Sequence, residues 1–541
     1  MNRDQAVETI FLIIIFGSLL YIGPGSVFQH QLSHDKPVQF GATDGFLYAM
    51  LSNYVAEEGN FRYNPYYSVA GFNDSIAYHP PMLMHIAAGF SYISGLNAYD
   101  SISFIMGFFV LFAAFIMYWL IRGFNKKVAM LSSPVFVFLY VMKFIIGYVW
   151  GEALLLMGSF FLVALFFIMS QNLKYWWVPA GILIAATINT HTSETIWFYG
   201  FAAFFLGIKL ITKQLQKHEL KFWLKQLGFA TLLAVILSFN YLIIFYNGYY
   251  KITGESYSSL RAMSPEEFGA IQVPPLYDFH WPVLLPIIAG VILALFYIKK
   301  NANPALIASG FMFLIGMTNY IGLHYRAFQA RFLWPIYLAV FFGLTMYTIL
   351  RQVWKGSILM PAIVGIVLAG IFANAYYAPV HPDVIRDTQW QAFKWVEQNT
   401  PERAKILFLY GDGYSQSIRL VKRMVHQVDG NDYARFLTSL PNRTLKIEPV
   451  MMEEMKYIHR KGLFDFGYYS YEYNMSPGFV PMDVCGFDYY VVDKASAYAP
   501  QLAQANVQLG NVLVNHNMTL AYQNDQVAII KNTNVGGECL G

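Results

Sequence analysis

The sequence predicts a polytopic α-helical membrane protein of about 11 spans that ends in an extracytoplasmic α/β domain. Three observations predict it. Of 541 residues, 56% are hydrophobic and only 13% are charged, against roughly 25% charged in a soluble chain. Apolar windows long enough to cross a bilayer recur as far as residue 377 and then stop. Threading those windows through a membrane in order also gathers the basic residues on one side, as the positive-inside bias requires.

The first window lies in "MNRDQAVETIFLIIIFGSLLYIG". No small-residue cleavage site stands out near Tyr21, Ile22 and Gly23, so the segment reads as a retained anchor helix with its N-terminus inside. Spanning windows of roughly 17 to 25 residues fall at 7–24, 100–121, 128–148, 153–170, 176–191, 193–211, 226–246, 281–298, 303–323, 330–350 and 357–377. The segment 81–96, "PMLMHIAAGFSYISGL", is apolar but short and follows a Pro-Pro pair, which fits a helix lying on the membrane surface. Charge decides the point. With 81–96 outside the count, Arg122, Lys126, Lys127, Lys174, Lys213, Lys217, Lys221, Lys225, Lys299, Lys300, Arg351 and Lys355 all face inside. Making it a span would send every later cluster outside.

Residues 1–379 are therefore the membrane domain, with long outer loops at 25–99 and 247–280 and a short outer turn, "GYVWGE", at 147–152. Residues 380–541 form a soluble outer domain whose pattern alternates. A helix is expected at 385–399, a strand in "KILFLY", a helix near 415–427, a strand in "FDYYVVD" and a helix near 497–508. A hairpin, "TLAYQNDQVAIIK", turns at Asn524-Asp525. The two cysteines, Cys485 and Cys539, exclude a cysteine-rich metal site, while an outer location permits one disulfide between them. Asn73, Asn442 and Asn517 lie in outer N-x-S/T triplets, open to glycosylation. A formal charge of +4 without a long basic run excludes nucleic acid as a partner.

Ionisable residues are scarce inside the spans, which argues against a transport path. Acids gather instead at the outer boundary. Asp44 stands in "GATDGFLYAML", where Thr43-Asp44-Gly45 could cap the following helix. Glu152 ends the short turn. His191 and Glu194 stand three apart in "NTHTSET", and His79 in "AYHPP" precedes the surface helix. Glu255 and Glu266 lie in the second loop. Arg326 and Arg331, in "HYRAFQARFLWPIY", share that side against the charge bias. A lipid-linked phosphate sits at headgroup depth, where a guanidinium fork suits its oxygens. A nearby carboxylate can take a proton from an acceptor or hold a divalent ion.

With these residues in place the layout resembles the GT-C superfamily of membrane glycosyltransferases, and more closely the catalytic subunit of oligosaccharyltransferase. "TDGFLYAMLSNYVAEEGN" is similar to the family's first acidic motif, and "GYVWGE" to its second. "QARFLWPIYLAVFFG" resembles its arginine-led span, and "AFKWVEQNTPERAKILFLYGDGY" the start of its soluble domain. The resemblance implies a polyprenyl-phosphate or -pyrophosphate sugar donor, a protein, lipid or glycan acceptor, and a cell-membrane or, in a eukaryote, ER-membrane location. It makes Asp44 the acceptor-activating carboxylate and Glu152 its assistant, the two together holding Mn or Mg. Arg331, with Arg326, would bind the donor phosphate; His79, His191, Glu194, Glu255 and Glu266 are candidate substrate contacts. Two departures matter. Trp150 stands where the second motif usually has another acid, and "LYGDGY", with Asp412, replaces the acceptor-reading "WWDYG". The alternatives are a true oligosaccharyltransferase acting on Asn-x-Ser/Thr, a lipid-carrier flippase, and a surface-binding protein with its spans as anchor.

Overall fold

The computed structural model describes residues 2–36, 43–69, 73–77, 79–139, 150–171, 173–247, 280–300, 302–321, 334–354, 356–376, 385–409, 418–428, 444–449, 456–462, 464–470, 480–494, 518–537 and 539. Two compact units emerge. One comprises Met1–Phe28, Pro80–Leu83 and Ser103–Val380, the other Gln29–His79, Met84–Ile102 and His381–Gly541.

Helices dominate the first unit. They are α1 (Arg3–Ile22), most of α5 (Ala98–Phe124), α6 (Lys126–Leu139), α7 (Trp150–Ser170), α8 (Trp177–Ile188), α9 (Thr192–Ile211), α10 (Lys217–Phe245), α11 (Trp281–Lys300), α12 (Pro304–Met317), α13 (Pro335–Leu350) and α14 (Leu359–Tyr376). Each of the eleven apolar windows carries a helix. Among the described residues, four stretches are long and apolar enough to cross a membrane: Arg3–Ser33, Ala98–Phe124, Lys217–Phe245 and Trp281–Lys300. Shorter apolar helices occupy other windows.

Close crossings hold these helices together through small residues, since lipid offers no hydrophobic drive for one apolar helix to meet another. A methyl group added at Gly290 of α11 would lie 2.0 Å from the Phe341 carbonyl oxygen of α13. One added at Gly343 would lie 2.6 Å from the Val128 carbonyl oxygen of α6. The backbones approach this closely only because no Cβ intervenes. In the second turn of α1, Glu8 is 5% exposed yet fully partnered. Arg122 donates through Nε at 2.5 Å and Nη2 at 3.1 Å, and the Tyr118 hydroxyl donates at 3.1 Å. Lys126 Nζ lies 3.0 Å away. A charge survives burial only when paired in this way, so Glu8 clamps α1 to α5 and α6.

The second unit joins α2 (Pro24–Ser33, from Gln29 onward), α3 (Thr43–Glu58), most of α4 (Met82–Ser94) and α15 (Asp387–Asn399) to two sheets. The strands are β1 (Lys405–Phe408), β2 (Met424–Val428), β3 (Thr444–Pro449), β4 (Lys456–Arg460), β5 (Phe466–Ser470), β6 (Val480–Asp483), β7 (Tyr489–Asp493), β8 (Met518–Gln523) and β9 (Val527–Asn532). Seven of them form one sheet in the order β6-β3-β2-β1-β7-β9-β8, while β4 and β5 pair separately. The central strand β1 runs parallel to both β2 and β7, and the flanking pairs are antiparallel. Leu407, Val428, Leu445, Ile447, Tyr490, Val492 and Ile530 build the core beside the Cys485–Cys539 disulfide. Helix α15 buries Trp390, Phe393 and Val396 at helical spacing. Gln389 Nε2 on that helix donates to the buried Asp493 carboxylate at 3.1 Å.

The expected helix at 385–399, both expected strands, the short helix within 81–96 and the hairpin are all present. Asn524 Oδ1 shapes the hairpin turn by accepting from the amides of Gln526 and Val527. The helix expected near 415–427 is a correction. Its described part is a 3₁₀ turn, Ile418–Val421, followed by strand β2. "MVHQV" is too short for its apolar pattern to separate strand from helix, and pairing with β1 decides it. The helix expected near 497–508 lies outside the described residues.

His426 of β2 packs edge-on against Phe487, ring centroids 5.0 Å apart. Burial, aided by the positive charge of Lys405, lowers its pKa from 6.5 to about 4. Between those values the unfolded chain binds a proton that the folded chain refuses. Stability is therefore complete above pH 6.5 and falls as the pH drops toward 4, by up to roughly 3 kcal/mol. Melting curves followed by tryptophan fluorescence at pH 7 and 4.5 should show this loss, and His426→Gln should flatten it. An unchanged slope in that variant would move the effect to another group.

Candidate active site

Asp44 is the second residue of α3 and Glu152 the third residue of α7, while Glu194 is the third residue of α9. Glu194 stands in the first turn of α9, whose N-cap residue His191 is described, whereas the residues just before Thr43 and Trp150 lie outside the described residues. In a first turn the unpaired backbone N–H groups and the helix dipole favour a negative charge. The capping expectation for Asp44 is corrected: the helix already includes Thr43, so Asp44 lies within α3 and not at its cap, and residues 41 and 42 lie outside the described residues. Glu152 was expected at the end of a turn, but Trp150, Gly151 and Glu152, the last three residues of "GYVWGE", are helical and belong to α7. The side chains of Asp44, Glu152 and Glu194 lie outside the described residues.

Asp44 and His79 belong to the second unit, whereas Glu152, His191 and Glu194 belong to the first. His191 is the N-cap residue of α9 in extended conformation, φ −161 and ψ 112, and its side chain makes no capping hydrogen bond. In the turn just before it, the Asn189 carbonyl accepts from the amide of Met82 at 2.9 Å. His79 keeps part of its surface accessible, yet protein crowds around it, and that desolvation lowers its pKa to about 4. At neutral pH it is a neutral imidazole, able to donate one hydrogen bond and accept another.

Arg326, Arg331, Glu255, Glu266 and Asp412 lie outside the described residues. Among the described residues no group of three His, Cys, Asp or Glu could hold a metal ion. The sequence reading missed one set of residues in the second unit, Glu57, Glu397 and Lys422, which come together in an ion-pair cluster. Glu57 and Lys422 stand 365 positions apart, and no local pattern announces such a pair.

The fold is shared with solved membrane enzymes. Archaeal oligosaccharyltransferase AglB from Archaeoglobus fulgidus, in complex with an inhibitory peptide and a dolichol-phosphate, matches with a TM-score of 0.51 and 13% identity, covering 98% of this chain and 88% of that one. The Archaeoglobus fulgidus oligosaccharyltransferase complex with Zn and sulfate matches with a TM-score of 0.51 and 14% identity, over 97% of this chain and 88% of that one. ArnT from Cupriavidus metallidurans, bound to undecaprenyl phosphate, matches with a TM-score of 0.55 and 10% identity, over 98% of this chain and 99% of that one. AglB and ArnT are both GT-C glycosyltransferases. At these identities the likeness is one of fold. No family model and no curated protein matches the sequence.

Proposed function

We propose that this chain is a membrane glycosyltransferase of the GT-C type, moving a sugar or oligosaccharide from a polyprenyl-phosphate or -pyrophosphate carrier to an acceptor at the outer membrane face. The observation that carries this reading is a GT-C fold matched along nearly the whole chain, with Asp44 carried on helix α3. In the proposed topology all eleven apolar helices span, the N-terminus faces inside, and residues 380–541 lie outside. The charge distribution of the loops supports that arrangement.

The reaction is an inverting displacement. The acceptor oxygen or nitrogen attacks the anomeric carbon as the bond from that carbon to the carrier phosphate oxygen breaks. The carrier leaves with the electron pair, and the acceptor proton passes to a base. Asp44 is that base. Arg331, supported by Arg326, binds the phosphate as negative charge builds on its leaving oxygen. Glu152 orients the acceptor or the base by a hydrogen bond. His79, His191 and Glu194, with Glu255 or Glu266 from the second loop, offer hydroxyl contacts to the sugar.

A divalent ion, Mn or Mg, would be held by Asp44 and Glu152. Trp150, in α7, has no lone pair to give where the family carries a second acid. The donor set is thus one carboxylate short, and no step above is routed through a metal. A chelator should leave transfer within about two-fold of its starting rate, and a collapse restored by Mn or Mg would reinstate the ion.

Two acceptor classes divide the proposal. The likeness to AglB supports protein asparagine, and "LYGDGY" in place of the peptide-reading signature supports another acceptor. The purified full chain in nanodiscs, given a polyprenyl-linked sugar and an Asn-x-Thr peptide, separates them. Glycopeptide formation assigns protein asparagine. Transfer to a lipid or glycan acceptor alone assigns the broader reading. Carrier movement across liposomes with no transfer product would replace both with a flippase.

A further inference from the structure

Helix α3 carries Asp44 at one end and Glu57 at the other, 13 residues on. At 1.5 Å per residue the two are about 20 Å apart along the axis. Glu57 Oε1 accepts from Asn53 Nδ2 of its own helix at 3.1 Å and is ion-paired with Lys422 Nζ. The same ammonium reaches Glu397 Oε1 of α15 at 3.4 Å. One lysine therefore ties the far end of the Asp44 helix to α15, all within one compact unit.

The backbone at the lysine takes an unusual conformation. Lys422 has φ of 58°, in the left-handed region that a residue with a Cβ avoids. Its neighbour Arg423 explains how that conformation is kept. Arg423 is 7% exposed and donates from Nε to Thr400 Oγ1 at 2.9 Å. Its Nη2 donates to the carbonyls of Glu397 at 2.7 Å and Thr400 at 2.9 Å, at the C-terminal end of α15. Its Nη1 closes back on the carbonyls of Val421 and Lys422. These are the carbonyls that a helix end leaves unpaired, and one buried guanidinium satisfies them while fixing the turn that presents Lys422. The segment after α3 is fastened to the same platform. The Tyr66 hydroxyl donates to the Glu402 carbonyl at 2.6 Å. Arg403 lies 5.3 Å over the Tyr66 ring and donates to Asn73 Oδ1 at 3.2 Å.

We propose that Lys422 is a positioning residue for sugar transfer: through Glu57 it fastens the Asp44 helix to α15, so that the C-terminal domain sets the aim of the carboxylate. This rests on the reading of Asp44 as the base. The pair is partly exposed, with Lys422 at 26% and Glu57 at 43%, so its share of global stability is small. Its leverage is geometric. A tilt of about 3° at Glu57 moves the far end of the helix by about 1 Å, and a 1 Å misplacement costs up to roughly 100-fold in rate.

The test is a double-mutant cycle on the full chain in nanodiscs, with a polyprenyl-linked sugar as donor. Lys422→Ala and Glu57→Ala should each lower kcat by about 10-fold or more with donor KM nearly unchanged. The double variant should lose no more than either single one, and Lys422→Arg should recover most of the rate. Hydrogen exchange on the same samples should show faster exchange across Thr43–Glu58, with β1 and β7 unchanged. Wild-type kcat in both single variants, additive losses, or unaltered exchange in α3 would overturn the proposal. Should either alanine variant fail to fold, Lys422→Arg and Lys422→Gln carry the same comparison, and equal activity in the two would overturn it. Failure of the underlying reading looks different: Asp44→Asn would transfer sugar at the wild-type rate whatever residue occupies position 422.

Discussion

Asp44→Asn is expected to stop sugar transfer, lowering kcat by about 10³-fold or more while leaving expression, membrane insertion and melting temperature unchanged. The substitution keeps size and shape and removes one thing, the ability to take a proton from the acceptor. Positioned general bases contribute roughly 10² to 10⁴-fold, and a base that also orients the acceptor forfeits that contribution too. Folding should be spared, because Asn matches Asp in size and in helix propensity. The second position of α3 also lies at its end, away from the Ala49, Met50 and Leu51 stretch that is almost fully buried. Asp44→Glu is the sharper companion. It restores the charge but moves it by one methylene, so a 10- to 100-fold loss with intact donor KM would identify geometry as the remaining requirement. Full activity in Asp44→Asn, assayed with a lipid-linked donor, would remove Asp44 from the reaction.

What the sequence made legible follows the range of the forces involved. An apolar run of membrane length carries its own signature, since a bilayer leaves the backbone no partner but itself. Each predicted window accordingly carries a helix. The hairpin around Asn524 was equally plain, because turn chemistry is local. The disulfide rested on the simple parity of two cysteines, and Cys485 and Cys539 do pair. Strand β2 was not legible: Val425, His426 and Val428 are buried by partners that arrive from β1 and β3, and five residues cannot declare their period alone. Nor was the Lys422–Glu57 pair, which joins distant parts of the chain through a turn whose geometry depends on Arg423. The grouping of residues 29–79 with 381–541 in one compact unit likewise has no local marker. For the candidate site, residue type and position along the chain pointed to Asp44, Glu152 and Glu194. The structure adds that all three are helical residues, a setting that apolar windows place only to within a few residues.

Arg331→Gln should lower kcat by roughly 10² to 10³-fold, the cost of losing one preorganised donor to a developing oxyanion. The predicted loss falls on kcat rather than on donor KM. The phosphodiester of the donor is already charged in the ground state, but the extra charge on the leaving oxygen appears only as the anomeric bond breaks. Arg331→Lys separates charge from shape. An ammonium supplies the cation without the planar fork, so it should recover part of the loss and leave a deficit of about 10-fold. Arg326→Gln should cost less than Arg331→Gln, since Arg326 is assigned a supporting contact. The three variants can be ranked in one assay, with binding of the polyprenyl phosphate product measured in parallel. Product affinity should fall in the same order as kcat, because the free phosphate monoester carries the charge that the transition state only develops. A wild-type rate in Arg331→Gln together with a collapse in Arg326→Gln would exchange their roles. Wild-type rates in both would mean that the leaving phosphate is held by a cation elsewhere in the chain, and the outer arginines would then be interfacial anchors.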